Sequence, residues 1–202
     1  MAVAVVLTER RSLLTEARAR NYERLRERIV AASGDSVDVA HYEDLDPVQL
    51  GRASSIVLSG SSAPWSAHNA AELERLGDAV RSAGRPVLGI CAGMQLQAVF
   101  AGGAIGPSTA GEHGYLPIRV LDGTDLLRGL PRETVVFHDH DDEVVVVPDG
   151  FCVLASSRDC AVQAIADPTR RWWGTQFHPE EFRPEDPAGE LILRTFFALA
   201  AS

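Results

Sequence analysis

The sequence predicts an α/β fold: a mostly parallel central sheet flanked by helices and extended by additional, partly antiparallel strands. In the first half of the chain, short β-branched runs alternate with amphipathic segments, which is the pattern of a parallel sheet covered by helices. In the second half, short β-type runs are separated by turn residues. The 202 residues contain no repeat or linker, so we expect residues 1–202 to form a single domain.

The first strand and the first helix are predicted by their hydrophobic periods. Residues 3–7 are uniformly apolar and rich in valine, which is typical of a strand buried on both faces. Tyr22, Leu25 and Ile29 then recur at helical spacing among many arginines and glutamates. Gly34 is expected to end this helix.

Three more strands follow in the first half. Short apolar runs predict them at residues 37–40, 56–59 and 86–90. A loop rich in glycine, serine and proline, residues 60–64, follows the third strand, and an amphipathic helix over residues 67–83 leads to the fourth. A further helix is predicted from there to about residue 100.

The second half is predicted to hold six short strands and a terminal helix. The strands are expected at residues 118–121, 134–137, 143–147, 152–156, 162–166 and 172–177. Turns such as residues 148–150 separate them, and residues 190–200 have a helical pattern.

The composition excludes several classes of partner. Hydrophobic residues make up 46% of the chain and charged residues 23%, as in ordinary globular proteins. The formal net charge of -9 disfavours nucleic acid and anionic membrane surfaces as partners. No stretch has the length of a membrane span, and the first residues lack a signal-peptide pattern, so we expect a cytoplasmic location.

Cys91 is the candidate nucleophile among three cysteines. The segment Gly89-Ile90-Cys91-Ala92-Gly93 lies between a predicted strand and a predicted helix, an arrangement typical of a nucleophile elbow. The helix N-terminus favours a thiolate there, and the Ala92 N–H is placed to hold an oxyanion. The alternative interpretation is a buried structural cysteine beside two packing glycines. Cys152 and Cys160 lie in apolar runs without such a turn and are expected to be inert core thiols.

His178 is the candidate base. A cysteine nucleophile usually needs an imidazole to accept its proton, and the imidazole needs an orienting group. His178 follows the predicted strand at residues 172–177, and ligands gather at such strand ends. Glu180 can bond the far ring nitrogen, and Glu181 is the competing orienting group. The alternative is an ordinary turn histidine beside Pro179.

Two segments together resemble the class I glutamine amidotransferases. They are Gly89-Ile90-Cys91-Ala92-Gly93-Met94-Gln95 and Gly174-Thr175-Gln176-Phe177-His178-Pro179-Glu180. The resemblance spans nearly the whole chain. It implies a flavodoxin-like fold and a catalytic triad of Cys91, His178 and Glu180.

The resemblance also implies a reaction and a partner. The cysteine would attack the side-chain amide of glutamine, ammonia would leave, and water would hydrolyse the resulting thioester. An N–H from the loop at Gly60 and Ser61 would join Ala92 in the oxyanion hole, and Gln95 would line the glutamine pocket. The ammonia would pass to an ATP-dependent synthetase, so ATP and Mg²⁺ would belong to that partner and no cofactor is expected in this chain.

Within the family, the chain is most similar to separate amidotransferase subunits of GMP synthetases. The similar segments are residues 112–115, 140–144, 148–151 and 154–157. An acceptor used in purine biosynthesis would then be bound by the partner and not by this chain.

Two positions depart from the family pattern. Ser61 stands where a second glycine is usual, which would make a flipped peptide costlier by about 1 kcal/mol. Asp139, before His140, stands where a serine helps to hold the substrate's α-carboxylate, and both residues are candidates for substrate binding. Because a carboxylate would repel a carboxylate, either Asp139 points elsewhere, or it contacts the substrate's ammonium, or the substrate is not free glutamine.

Three other functions stay open. His138, His140 and Asp142 alternate on a predicted strand face and, with His113, could supply metal ligands, although the resemblance instead explains His140 and Asp142 as a loop facing the partner. Asp139 motivates a stand-alone γ-glutamyl amide hydrolase that acts on a conjugate. The third is a non-catalytic, regulatory pseudo-amidotransferase.

Overall fold

The computed structural model describes residues 2–202, which form a nine-stranded sheet covered by helices. The strands are β1 (Ala2–Leu7), β2 (Ser36–His41), β3 (Ile56–Leu58), β4 (Val87–Ile90), β5 (Ala104–Val120), β6 (Glu133–Val146), β7 (Cys152–Ser156), β8 (Ala164–Asp167) and β9 (Trp172–Thr175). The helices are α1 (Glu16–Ser33), α2 (Pro47–Arg52), α3 (Ala70–Ala83), α4 (Ala92–Phe100) and α5 (Ala188–Ala200).

The strand order is β2-β1-β3-β4-β9-β8-β7-β5-β6. The first five strands in this order are mutually parallel, and the remaining four join antiparallel. The predicted fold class is therefore confirmed. Because β3, β4 and β9 are parallel neighbours, the loops after them meet at one edge of the sheet, which is where open α/β sheets bind ligands.

Alternating side chains of β1 enter two different cores. Val3 and Val5 pack in a core with residues of α1 and α5, whereas Ala4 and Val6 pack in a second core with residues of α2 and α3. Both faces of the parallel strands are covered, which explains why these strands read as continuous apolar runs. Among residues 2–202, no helix has the combined length and apolar character needed to cross a bilayer.

The β5–β6 hairpin corrects the predicted strand pattern. The separate strands predicted at residues 134–137 and 143–147 are one strand, β6, and the segment between them is paired and is not a loop. The predicted strand at residues 118–121 is only the end of β5. The earlier part of β5 was missed because Gly106 and Pro107 weaken strand propensity, and the register shifts beside Pro107.

Smaller corrections concern a helix start and a cysteine. The helix predicted from residue 67 begins at Ala70, because the Asn69 side chain accepts hydrogen bonds from the first N–H groups and caps it there. The short helix α2 was not predicted. The strand predicted to end at residue 177 ends at Thr175. Cys160 is buried as expected, but Cys152 is exposed and is not a core thiol.

Candidate active site

Cys91 lies at a strained turn between β4 and α4. Its backbone has φ 50° and ψ −110°, a conformation that side-chain-bearing residues rarely adopt. A Cβ on Gly89 would lie 2.6 Å from the backbone of Gly93, and a Cβ on Gly93 would collide with the Leu58 carbonyl oxygen. The two glycines are therefore required by close backbone approach, and they allow the turn that places the sulfur at the N-terminus of α4.

His178 meets Cys91 beside the loop that follows β3. Its backbone N–H donates to the Phe137 carbonyl oxygen at 2.8 Å, which ties this turn to β6. A Cβ built on Gly60 would lie 2.9 Å from His178 Cε1 and 3.5 Å from Cys91 Cβ, so both side chains converge on the same point. The structure thus brings together two residues that are 87 positions apart in the sequence.

Glu180, and not Glu181, contacts the imidazole. Glu180 Oε1 lies 2.9 Å from His178 Nδ1, whereas the Glu181 carboxylate forms an ion pair with Arg24 at 2.6 Å. Burial lowers the pKa of His178, but the interactions with the neighbouring Glu180 and Cys91 outweigh it, and the pKa lies well above its usual value. The geometry holds the imidazole between a carboxylate and a sulfur.

A cavity of about 420 Å³ opens onto these residues. Cys91, Ala92 and His178 line it together with residues of the loop after β3, of α1 and of β6. Cavities of this size accommodate small ligands such as an amino acid. Every residue that the sequence analysis named for the site lies in the lining, which includes Gly60, Ser61, Gln95, Asp139, His140 and Glu180.

The peptide between Gly60 and Ser61 is held in one orientation by three hydroxyl groups. The hydroxyls of Tyr22, Ser59 and Thr8 lie 3.1, 2.8 and 3.2 Å from the Gly60 carbonyl oxygen. This peptide is trans, so the Ser61 N–H points to the opposite side from that carbonyl. Ser61 also lines the cavity, so its N–H is a candidate donor to a ligand there.

Ser61 does not carry the strain that the sequence suggested. Cys91 and Arg171 are the non-glycine residues with positive φ in the described chain, so Ser61 has an ordinary backbone conformation. Its hydroxyl donates to Glu9 Oε1 at 3.2 Å. The Ser62 N–H and hydroxyl donate to Glu9 Oε2 at 3.0 and 2.7 Å. Glu9 is only 1% exposed, and its buried carboxylate holds this loop through these hydrogen bonds. The loop is therefore fixed by hydrogen bonds to serines at positions where the family pattern is rich in glycine.

Asp139 turns its carboxylate away from Cys91. Asp139 Oδ1 lies 3.0 Å from His113 Nδ1, and both side chains are largely exposed. The Asp139 backbone carbonyl oxygen, by contrast, lies 3.9 Å from Cys91 Sγ. Of the three interpretations left open, the geometry favours the one in which Asp139 points elsewhere.

Gln95 is fixed from two sides at the base of the cavity. Its side-chain N–H groups donate to the Asp142 carbonyl oxygen at 2.8 Å and to Gln176 Oε1 at 3.0 Å. The Gln176 side-chain N–H in turn points at Cys91 Sγ at 3.7 Å. A polar chain therefore links the nucleophile to β6.

Three residues of the site were missed as such by the sequence analysis. Gln176 lies in the same motif as His178, two residues before it, so its position could have indicated a role in the site. Glu9 and Tyr22 gave no such signal, because they contact the loop after β3 only through the tertiary fold.

A candidate ligand set for a metal also lies beside the cavity. Three possible ligand atoms lie within 4.8 Å of one another, one each from Glu112, His138 and His140. Burial and the neighbouring His140 lower the pKa of His138 to about 4. Of the other metal ligands suggested by the sequence, Asp142 is absent from this group, and His113 instead contacts exposed aspartates on β6.

Comparison with known proteins identifies relatives along the chain. A family model described as glutamine amidotransferase class-I matches residues 18–199. One subunit of the glutamine-hydrolyzing GMP synthase of Pyrococcus abyssi is 36% identical over 155 residues, which cover 77% of this chain and 80% of that protein. The glutamine-hydrolyzing GMP synthase of Syntrophomonas wolfei is 42% identical over 126 residues, 62% of this chain. The match spans only 24% of that longer relative.

A solved structure agrees with these sequence matches. A structure described as that of a GMP synthase subunit from Thermoplasma acidophilum has a TM-score of 0.81 and 28% sequence identity, covering 98% of this chain and 94% of that one.

Proposed function

Because this chain belongs to the class-I glutamine amidotransferase family, we propose that it hydrolyses the side-chain amide of glutamine through a thioester on Cys91. The observation that carries the proposal is the junction of Cys91, His178 and Glu180 at a strained turn on one wall of the cavity. The strained turn holds the sulfur at a helix N-terminus, which stabilises negative charge.

The proposed chemistry uses only groups of this chain and water. The Cys91 sulfur attacks the amide carbon, and the oxyanion receives hydrogen bonds from the Ala92 and Ser61 N–H groups. The imidazolium of His178 protonates the leaving nitrogen, which departs as ammonia. The neutral imidazole then takes a proton from water, and the resulting hydroxide attacks the thioester and expels the Cys91 thiolate beside the imidazolium. The released γ-carboxylic acid loses its proton to solvent and leaves as glutamate. Glu180 holds the imidazole and stabilises its positive charge.

We further propose that the ammonia is consumed by an ATP-dependent synthetase. Free ammonia is protonated in neutral water and loses its nucleophilicity, so a glutaminase gains from delivering it through a closed route. The relatives named GMP synthase support a synthetase as the partner. In this proposal the partner binds the acceptor, ATP and Mg²⁺.

Two measurements test the proposal. The purified chain is incubated with glutamine, and glutamate and ammonia are quantified with and without the ATP-pyrophosphatase subunit of a GMP synthetase, its nucleotide substrate and ATP. Cys91→Ala is expected to abolish glutamate release, whereas Cys152→Ala, at an exposed cysteine outside the cavity, is expected to retain it. Undiminished hydrolysis by Cys91→Ala refutes the nucleophile. If the synthetase neither accelerates glutamine hydrolysis nor consumes the released ammonia, the proposed partner is refuted.

The alternative substrate, a γ-glutamyl conjugate, is not favoured by the geometry. Asp139 motivated this alternative, but its carboxylate contacts His113 and not Cys91. Because the Asp139 carboxylate is paired with His113, the argument against free glutamine as the substrate is weaker.

A further inference from the structure

A buried cluster of two histidines and one glutamate joins the strands of the β5–β6 hairpin. Glu112 on β5 pairs in register with His140 on β6, and His138 is two residues earlier on the same face of β6. The three residues are 5%, 5% and 0% exposed, respectively. The cluster lies beside the candidate active site but contains none of the proposed triad.

The buried imidazole nitrogens of this cluster face Glu112, and both offer it a lone pair when the His138 proton is on Nε2. His140 Nδ1 lies 3.2 Å from the Asp142 carbonyl oxygen, which places a proton on Nδ1 and leaves a lone pair on Nε2. That Nε2 lies 3.3 Å from Glu112 Oε2, and His138 Nδ1 lies 3.9 Å from the same oxygen. Within residues 2–202, neither nitrogen has a hydrogen-bond partner, although both are buried.

A single proton on Glu112 cannot form hydrogen bonds to both imidazole nitrogens. Glu112 Oε2 already accepts a hydrogen bond from the Gln163 side chain at 2.5 Å. A proton on the glutamate would be donated to one imidazole only, which would leave the other nitrogen buried and unpaired. A divalent cation accepts all three lone pairs at once. Ligands about 2.0–2.1 Å from a tetrahedral Zn²⁺ lie roughly 3.4 Å apart, close to the two separations from Glu112 Oε2.

We propose that Glu112, His138 and His140 bind one divalent transition-metal ion, with Zn²⁺ as the preferred metal. Two imidazoles and one carboxylate are a donor set for borderline metals and not for Mg²⁺ or Ca²⁺. The Asp142 carbonyl holds His140 in the tautomer that a metal ligand needs. His140 also lines the cavity, whereas Glu112 and His138 lie behind it. The ion clamps the hairpin by joining β5 to β6 through these three side chains.

Metal titration of the full chain tests the site directly. The purified protein is stripped with a chelator, dialysed, and titrated with ZnCl₂ by calorimetry and with CoCl₂ by absorption spectroscopy. We expect one ion per chain, a higher unfolding temperature with Zn²⁺, and tetrahedral Co²⁺ bands without a sulfur charge-transfer band. Absence of stoichiometric binding overturns the proposal, and a sulfur band reassigns the ion to a cysteine and overturns it as well.

Matched variants locate the ion. Glu112→Gln and His138→Gln are expected to weaken Zn²⁺ binding by more than the roughly 100-fold that loss of an outer-shell partner costs. His113→Gln, which alters an exposed histidine on the same hairpin, is expected to bind like the parent. Circular dichroism verifies that each variant is folded. Parent-like binding by either folded cluster variant overturns the assignment, and if one of them fails to fold, the other and the parent titration decide.

Discussion

Replacing Glu9 by glutamine is expected to destabilise the loop that carries the proposed oxyanion donor Ser61. Both carboxylate oxygens of Glu9 accept hydrogen bonds, Oε1 from Arg10 N–H and the Ser61 hydroxyl, and Oε2 from Ser62 N–H and the Ser62 hydroxyl. A glutamine has only one oxygen there, so its amide N–H₂ group would face a backbone N–H. One backbone donor therefore loses its acceptor.

The magnitude follows from these contacts. Hydrogen bonds to a charged group contribute about 1.5–3 kcal/mol each, so the loss of one predicts a decrease of about 1.5–3 kcal/mol in the free energy of unfolding. For a chain of this size, that corresponds to a fall of roughly 3–12 °C in Tm. Removing an oxyanion donor costs about 10²–10³ in kcat, so a displaced one is expected to cost roughly 10–100-fold.

Thermal unfolding by circular dichroism and steady-state glutaminase assays measure the two effects. Glu74→Gln is the matched control, because Glu74 is exposed on α3 and outside the cavity lining. The reasoning is refuted if Glu9→Gln has the Tm and kcat of the control. A lower Tm with unchanged kcat would show that Glu9 supports the fold but does not position Ser61.

The stability difference is also expected to depend on pH. Burial raises the pKa of Glu9, but the hydrogen bonds from Ser62 and Arg10 and the charge of Arg18 outweigh it and set the pKa below its usual value of 4.5. A carboxyl group with a lowered folded-state pKa contributes stability above its unfolded pKa, and this contribution is lost as the pH falls through the folded value. The Tm difference between parent and Glu9→Gln is therefore expected to shrink below pH 4.5.

Three further variants test the site. Glu180→Gln removes the charge that raises the pKa of His178, so we expect a roughly 10²–10⁴-fold loss of kcat and a lower apparent pKa in the pH profile of kcat/KM; an unshifted profile contradicts the assignment. Gly60→Ala places a methyl 2.9 Å from His178 Cε1, so we expect loss of activity with little change in Tm, and unimpaired kinetics would count against this packing. Tyr22→Phe removes a hydroxyl from the Gly60 carbonyl and is expected to cost about 1 kcal/mol, several-fold in kcat/KM; parent-like kinetics would mean that the remaining hydroxyls suffice.

The local features of the fold could be predicted because they depend on neighbours in the chain. The β-branched runs predicted the strands β1, β3 and β4. The two glycines around Cys91 indicated its strained turn. Strand endings gave the position of His178. The course of β5 and β6 could not be predicted in the same way, because glycine, proline and charged residues there are paired across a hairpin whose register depends on both strands.

By itself, the sequence determined the fold class, the family and the candidate nucleophile and base, since each rests on short-range patterns. Only the tertiary structure decided which glutamate faces His178, where Asp139 points, and that Glu9 supports the loop at Ser61. It also brought Glu112 against His138 and His140. The physical reason is that hydrogen bonds and charge pairs act over a few ångströms. Residues 52 positions apart, such as Glu9 and Ser61, come within that range only when the sheet has formed.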